Sequence, residues 1–359
     1  MRGMGRGDIP PYKFKNVTEW GETYVRLSLN ENFINPPDRV IKAGYRAVNT
    51  INRYPEIDGY SLRRKIALHL GLTSDMVFLS GGSILLIYTL LYAFADGSGE
   101  VIGPKISFAA YPSGVMASGA KYMVFDNEGT WGMDVEAILN MVNEKTQVIL
   151  LCSPNNPTGA IMTKNELIKL LNNIPSDVIV ILDEAYYEYV ENDNYHYDSH
   201  ELIATYPNLV ILRTFSKAYS LAGARIGYGI AVPKIWEIAG NFQPIYVLNR
   251  AAIAMAYEIY GDNEHLEKVR KLTRKGREYL LTHLPKIGFE VAGKPEANFV
   301  MVKPTCGKDA ATIKKELREH KILVNETSMY GIPGWLRITV GAEKENEYLI
   351  ETLAKLCSL

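Results

Sequence analysis

Four side chains in this 359-residue chain carry chemistry that none could perform alone. They are Asn156, Asp183 (27 positions on), Lys217 (34 further) and Arg225 (eight beyond that). A lysine amine is a nucleophile once it loses its proton, a carboxylate holds a cation or moves a proton, and a guanidinium grips phosphate through paired donors. Each residue also has a plainer reading. NNPTG around Asn156 suits a tight turn, a strand-terminal Asp183 suits a helix cap, and Lys217 suits a solvated helix start. Their setting favours chemistry, because each follows an apolar run: VILLCS precedes PNNPTG, VIVIL precedes Asp183, and LVILRTF precedes Ser216 and Lys217.

The elements that position them can be read from the same runs. GEVIGP (99–104), KYMVFD (121–126), TQVILLCSP (146–154), SDVIVILDEAYY (176–187), NLVILRTFSK (208–217) and ARIGYGIAV (224–232) are apolar on successive residues and bounded by turn signals. That pattern predicts strands buried on both faces of a mostly parallel sheet. Helical patterns lie among them: SILLIYTLLYAFA before the first run, and KNELIKLLNNI after Pro157. The alternation predicts an α/β fold, a three-layer large domain. From about Trp236 the signals change to a long helical stretch, then mixed strands and helices, as in a smaller α+β domain. The expected division is residues 1–44 as an N-terminal arm and part of the small domain, 45–235 as the large domain and 236–359 as the small one. Open α/β sheets bind ligands beyond the carboxyl ends of their strands, so the acid, the amides and the lysine converge on one crevice.

Composition narrows the function classes. A formal net charge of -1 with interspersed signs argues against nucleic acid or a membrane surface as partner. The basic start, with Arg2 and Arg6 among glycines, has no apolar region after it and is not read as a signal peptide. Ile84–Ala95 is too short to span a bilayer. Cys152, Cys306 and Cys357 show no metal-ligand spacing, so no metal is expected; they suit core thiols in a reducing cytoplasm.

Six stretches carry a family resemblance: RYPEIDGYSLRRKIA (53–67), SPNNPTG (153–159), ILDEAYYEYV (181–190), TFSKAYSLAGARIGY (214–228), ANFVMVK (297–303) and WLRITVG (335–341). In this order the chain resembles fold-type-I pyridoxal-phosphate enzymes, the class I/II aminotransferases, and within them the histidinol-phosphate aminotransferase branch. The resemblance implies that Lys217 takes the aldehyde of pyridoxal 5′-phosphate and later moves a proton between the substrate α-carbon and the cofactor. A lysine near other cations and away from water has the lowered pKa this requires. Asp183 would pair with the pyridine nitrogen, and Tyr186 and Asn156 with the phenolic oxygen. Phe108 would stack on the ring, with Tyr111 nearby. Arg225, Ser216, Thr214 and the helix start at Gly82 and Ser83 would hold the phosphate, with Gly223 and Gly227 leaving room. Tyr54 would reach the phosphate of a partner subunit, which implies a homodimer with shared sites. Arg337 would bind the substrate's anionic group, with Asn30 and Asn32 as substrate-contact candidates beside Asn156.

Two departures bear on substrate. The branch has an acidic pair where Ile84 and Leu85 stand, and a second phosphate-gripping arginine where Asn325 stands. A neutral amide loses most of the grip on a dianion. The expected reaction is therefore amino transfer between an amino donor and a 2-oxo acid or keto-phosphate, with aromatic or acidic amino acids as rivals to histidinol phosphate. Arg250 is a conceivable second cation, though it reads better as a surface helix start. A threonine-phosphate decarboxylase-like lyase would use the same scaffold, and a cofactor-binding regulator without turnover would leave the catalytic positions unused. A nicotinamide enzyme would need GxGxxG, which SGGS does not supply.

Overall fold

The structure, a computed structural model, describes residues 24–191 and 198–357; the basic start with Arg2 and Arg6 lies outside the described residues. Strand β1 (Val25–Arg26) pairs in parallel with β11 (Ile322–Leu323). The main sheet has seven strands: β2 (Val77–Ser80), β3 (Glu100–Pro104), β4 (Lys121–Phe125), β5 (Thr146–Cys152), β6 (Ile179–Asp183), β7 (Leu209–Thr214) and β8 (Gly227–Ile230). Their order is β2-β8-β7-β6-β5-β3-β4, and only β8 runs antiparallel to its neighbours. The chain leaves β3 toward β4 on one side and returns through β5, β6 and β7 on the other, so the topology switches between β3 and β5. Crevices at such switch points are where α/β sheets bind ligands.

The apolar runs are continuous because both sheet faces are covered. In β5, β6 and β7, Val148, Leu150, Ile179, Ile181, Val210 and Leu212 face one core, and Ile149, Leu151, Val180, Leu182, Leu209 and Ile211 face the other. Alternate residues of a strand point to opposite faces, so a strand between two helix layers needs apolar residues at every position. The first face is packed by α3 (Ser83–Phe94), α4 (Ala110–Ser118) and α7 (Pro233–Ala239). The second is packed by α1 (Asp38–Val48), α2 (Tyr60–His69), α5 (Val135–Met141), α6 (Lys164–Asn172) and α8 (Arg250–Ile259). Local caps agree with these assignments: Thr163 and Glu166 form a reciprocal capping box at the start of α6.

The small domain is an antiparallel sheet, β12 (Asn325–Glu326), β13 (Leu336–Thr339), β10 (Phe299–Pro304) and β9 (Phe289–Val291), packed by α9 (Asn263–His283), α10 (Ala310–Glu319) and α11 (Glu343–Cys357). Residues beyond the expected division at 236 also pack in the core that covers the second face of the large sheet. Ala252, Ile253, Ala256 and Ile259 of α8, and Leu266 and Val269 of α9, belong to the core of the large sheet, because their apolar stripe faces it. The expectation of three thiols also needs correcting. Cys306 and Cys357 form a disulfide between the segment after β10 and the end of α11, brought together across 51 positions by tertiary packing. Cys152 is free and buried, and burial pushes its thiol up to about 12.

Candidate active site

Cys152 and Asp183 are register partners at the ends of β5 and β6, and Thr214 closes β7 beside them. Their side chains share the α3/α4 face and line a cavity of about 850 Å³ with Asn30, Ser83, Phe108, Asn156, Tyr186, Ser216, Lys217, Arg225 and Arg337. Of the residues expected to contact cofactor or substrate, Gly82, Asn32 and Tyr54 are absent from this lining. Gly82 still adjoins it as the residue before α3.

Lys217 follows β7 by three residues, and its Nζ donates to the carbonyls of Leu29 (3.1 Å) and Asn30 (3.2 Å). Its pKa is lowered to about 7, first by burial and then by Arg337; Glu31 opposes this and Arg225 adds to it. The amine therefore gives up its proton far more readily near neutrality than an ordinary lysine does, as a nucleophile or proton carrier needs. Asn32 holds the turn after the lysine, donating to Ser220 Oγ (2.8 Å) and to the carbonyl of Ala218 (3.2 Å). It positions the loop and is not part of the cavity lining.

At the floor, Asp183 accepts from the Tyr111 hydroxyl (3.0 Å) and from the backbone N–H of Ala185 (3.1 Å). Burial raises its pKa to about 6, and these hydrogen bonds oppose the rise. Among the described residues no cation is ion-paired with this carboxylate, so a protonated ring nitrogen would supply the missing partner. Tyr186 accepts from Asn30 Nδ2 (2.9 Å), and burial holds its phenol protonated, free to donate its own hydrogen. Asn156 accepts from Arg337 Nη1 (2.6 Å), which leaves its amide NH₂ to donate. Phe108 meets Tyr111 edge to face, 5.7 Å between centroids.

At the other end, α3 starts with no side chain capping its first amides. Those amides are therefore available to an anion. Arg225 lies against them: a Cβ at Gly82, whose φ is +98°, would come within 2.8 Å of its guanidinium. Arg225 also donates to Ser216 Oγ (3.3 Å). Thr214 Oγ1 accepts from the Ser216 N–H (3.1 Å), so its hydroxyl shapes this loop as well as lining the cavity. Gly227 is needed where β8 passes α3, because a Cβ there would be 2.6 Å from Ser83 N. Gly223 was expected to clear the same approach, but it faces open space within 4 Å.

Arg337 stands on β13 in the small domain and closes the cavity from above. Its Nη2 donates to the Ser28 carbonyl (2.6 Å), while its buried Nε has no partner. The guanidinium lies 4.9 Å from the Tyr330 ring centroid. Tyr54 does not enter the cavity of its own chain: it is 75% exposed and stacks on Tyr246. Arg250 instead donates to the Tyr54 carbonyl (2.8 Å), at the start of α8. Asn30 spends its side chain on Tyr186 and Thr339, so it braces the site.

Reading the sequence did not reveal that Tyr111 holds Asp183. The signal was present, since Tyr111 follows Phe108 by three positions at the start of a helix on the same face. Nor did it reveal the buried pair behind the floor. Glu184, next to Asp183 but on the opposite sheet face, pairs with Arg213 Nε (2.9 Å) and accepts from Ser199 Oγ (2.9 Å). The Tyr187 ring lies 3.9 Å from the same guanidinium.

The sequence pattern of the family described as aminotransferase class I and II matches residues 22–353. The chain belongs to that family. It is 35% identical over 359 aligned residues to histidinol-phosphate aminotransferase 1 of Nitrosococcus oceani, covering 98% of this chain and 96% of the relative. It is also 35% identical to histidinol-phosphate aminotransferase 2 of Carboxydothermus hydrogenoformans, covering 91% and 90%. The histidinol-phosphate aminotransferase of Sinorhizobium meliloti, solved in complex with pyridoxal-5′-phosphate, superposes with a TM-score of 0.86 at 23% identity, over 94% of this chain and 91% of that one. This aminotransferase is therefore a pyridoxal-phosphate-dependent type of enzyme, similar throughout its length to the histidinol-phosphate branch. No helix among its described residues is long and apolar enough to cross a membrane.

Proposed function

We propose that the enzyme moves an amino group between a small-molecule amino donor and a 2-oxo acid or keto-phosphate, with pyridoxal 5′-phosphate bound in the cavity. One observation carries the reading: the Lys217 amine, at a pKa of about 7, shares a single cavity with a buried carboxylate, an amide and two guanidinium groups. The donor set fits the cofactor. An uncapped helix start beside Arg225 and Ser216 suits its phosphate, and a buried carboxylate lacking a cation suits its ring nitrogen. When bound, the cofactor supplies an aldehyde for the lysine and a ring that withdraws electrons from the substrate α-carbon.

The chain's own residues then have separate tasks. Lys217 moves the proton between the donor α-carbon and the cofactor's aldehyde carbon. Asp183, steadied by Tyr111, keeps the ring nitrogen protonated. Tyr186 and Asn156 donate to the phenolic oxygen, and Phe108 covers one ring face. Arg225, Ser216, Thr214 and the amides at Gly82 and Ser83 hold the phosphate. Arg337 receives the substrate's anionic group, with Asn156 beside it and Asn30 bracing that end.

The same reading makes the enzyme a homodimer with shared sites, supported by the exposure of Tyr54 outside its own cavity. Sedimentation tests the dimer, and complementation between Tyr54→Phe and Lys217→Ala subunits tests the sharing. A cytoplasmic location is the corresponding expectation, checked by cell fractionation. The decisive measurement is the visible absorbance of purified holoenzyme on addition of amino donors. Conversion of the bound aldehyde to its amine form, with release of a 2-oxo product, is expected. Release of CO2 instead would replace the reading with a decarboxylase.

A further inference from the structure

Lys217 belongs to a loop that follows β7, and the loop closes where the Leu221 N–H donates to the Phe215 carbonyl (2.9 Å). Inside it, the Ser220 N–H donates to the Lys217 carbonyl (3.0 Å). Ser220 has a φ of +59°, in the left-handed region. A residue with a Cβ is strained there and stays only where its surroundings hold it. Phe215 and Tyr219 root the loop in the core of the second sheet face, against Tyr260. Apolar burial has no direction of its own, so the orientation of the turn is left to hydrogen bonds.

Two side chains from distant segments supply those bonds. Asn32 donates to Ser220 Oγ (2.8 Å) and reaches the carbonyls of Ala218 (3.2 Å) and Lys217 (3.4 Å). The same segment meets the far end of the lysine, because Nζ donates to the carbonyls of Leu29 and Asn30. His265, in the first turn of α9, brings its Nε2 to 3.1 Å from the Ala218 carbonyl and 3.3 Å from Ser220 Oγ. Either tautomer keeps a partner: Nε2–H donates to the carbonyl, and a bare Nε2 accepts the serine hydroxyl. The histidine is only 5% exposed and is fixed in its turn. Its backbone N–H donates to Asp262 Oδ1 (3.0 Å), the cap of α9, whose Oδ2 accepts from Arg39 of α1 (2.5 Å). Asn32, Ser220 and His265 all stand outside the cavity lining, so they act on it only through the loop.

We propose that His265 is a positioning residue for Lys217, acting with Asn32 through Ser220 to hold the strained turn so that Nζ faces the cavity. The inference rests on the reading that Lys217 takes the cofactor aldehyde. In that capture the neutral amine forms a bond to the aldehyde carbon and one water leaves. A loop released from His265 keeps its apolar root but lets the turn relax, and the amine then spends less time where the aldehyde arrives.

The test uses the full-length chain freed of cofactor. Pyridoxal phosphate is added across a pH series, capture is followed by absorbance, and borohydride then fixes the label for peptide mass analysis. His265→Ala is expected to slow capture at Lys217 by about tenfold, the scale of one hydrogen bond, and to move the pH profile upward as the amine gains water. His265→Gln, whose side-chain amide offers a donor and an acceptor near the place of Nε2, is expected to recover most of the rate. A His265→Ala chain that is less stable to heat yet captures at the wild-type rate and pH overturns the inference and leaves the role of Lys217 intact. If His265→Ala does not fold, Ser220→Ala takes its place, and wild-type capture in that variant overturns the inference equally. Wild-type protein that carries no label on Lys217 overturns the reading of the lysine, and the inference with it.

Discussion

At one end of the cavity, Asp183 is the last residue of β6, and Asn156 and Lys217 follow the ends of β5 and β7, its neighbours in the sheet. At the other end, Ile84, Arg337 and Asn325 come from a helix of the large domain and two short strands of the small one. The first end is stiff because strand register sets where each side chain stands: Cys152 opposite Asp183, and Asp183 opposite Leu212. The second depends on how the two domains pack, and its side chains can change without disturbing the main sheet. The residues proposed for the chemistry therefore sit on the main sheet, and those proposed to meet the substrate on segments outside it.

Several changes would break or sharpen this contrast. The largest effect is expected at the rigid end, where Lys217→Ala should reduce turnover by roughly 10⁴-fold, measured as product release, because no neighbouring base can replace its amine. Arg213→Met strikes the support behind that end. It leaves Glu184 buried without its cation, and chemical denaturation should show a loss of about 3–5 kcal/mol. A loss too small to measure would mean the floor does not depend on the pair.

The next test links the two ends. Lys217 has a folded-state pKa of about 7, below its ordinary 10.5. Capture of pyridoxal phosphate by cofactor-free enzyme should thus rise with pH up to about 7 and then level off. The same shift means that the unfolded lysine binds more protons than the folded one between those values, so this group's contribution to stability rises with pH across that window. Arg337→Met removes the charge that most lowers this pKa and should move the capture profile to higher pH; a profile that stays in place would separate the ends electrostatically. The smallest effect is expected from Tyr111→Phe, which costs the Asp183 carboxylate one charge-assisted hydrogen bond, about 1.5 kcal/mol or roughly tenfold in turnover. It should also raise the pH at which the floor carboxylate protonates.

Much of the rigid end is legible in the amino-acid sequence. Continuous apolar runs ending in Asn156, Asp183 and Lys217 require strands covered on both faces, and the position of each polar residue follows from that. The helix start at Gly82 and Ser83 is also readable, because a strand, two glycines and an apolar helix form a recognisable local unit; that Arg225 joins it at one phosphate is only what the family resemblance implies. Where α8 packs is not readable. The apolar stripe of α8 fits a core equally well in either domain, and only packing shows that it faces the large sheet. The Cys306–Cys357 bond is similar, since a separation of 51 positions says nothing about contact.

The paired carboxylates Asp183 and Glu184 mark the limit most clearly. Alternation along a strand dictates that they point to opposite faces, but not what waits on each. The fold gives Asp183 a tyrosine and an open cavity, and Glu184 a buried arginine and a serine. By itself the sequence determined the family, the sheet, and the lysine, acid and amide at its edge, because these follow from local periodicity and chain order. Only the tertiary structure decided that Arg337 and Asn325 are cross-strand neighbours lining one cavity with the start of α3, because that depends on distant segments meeting.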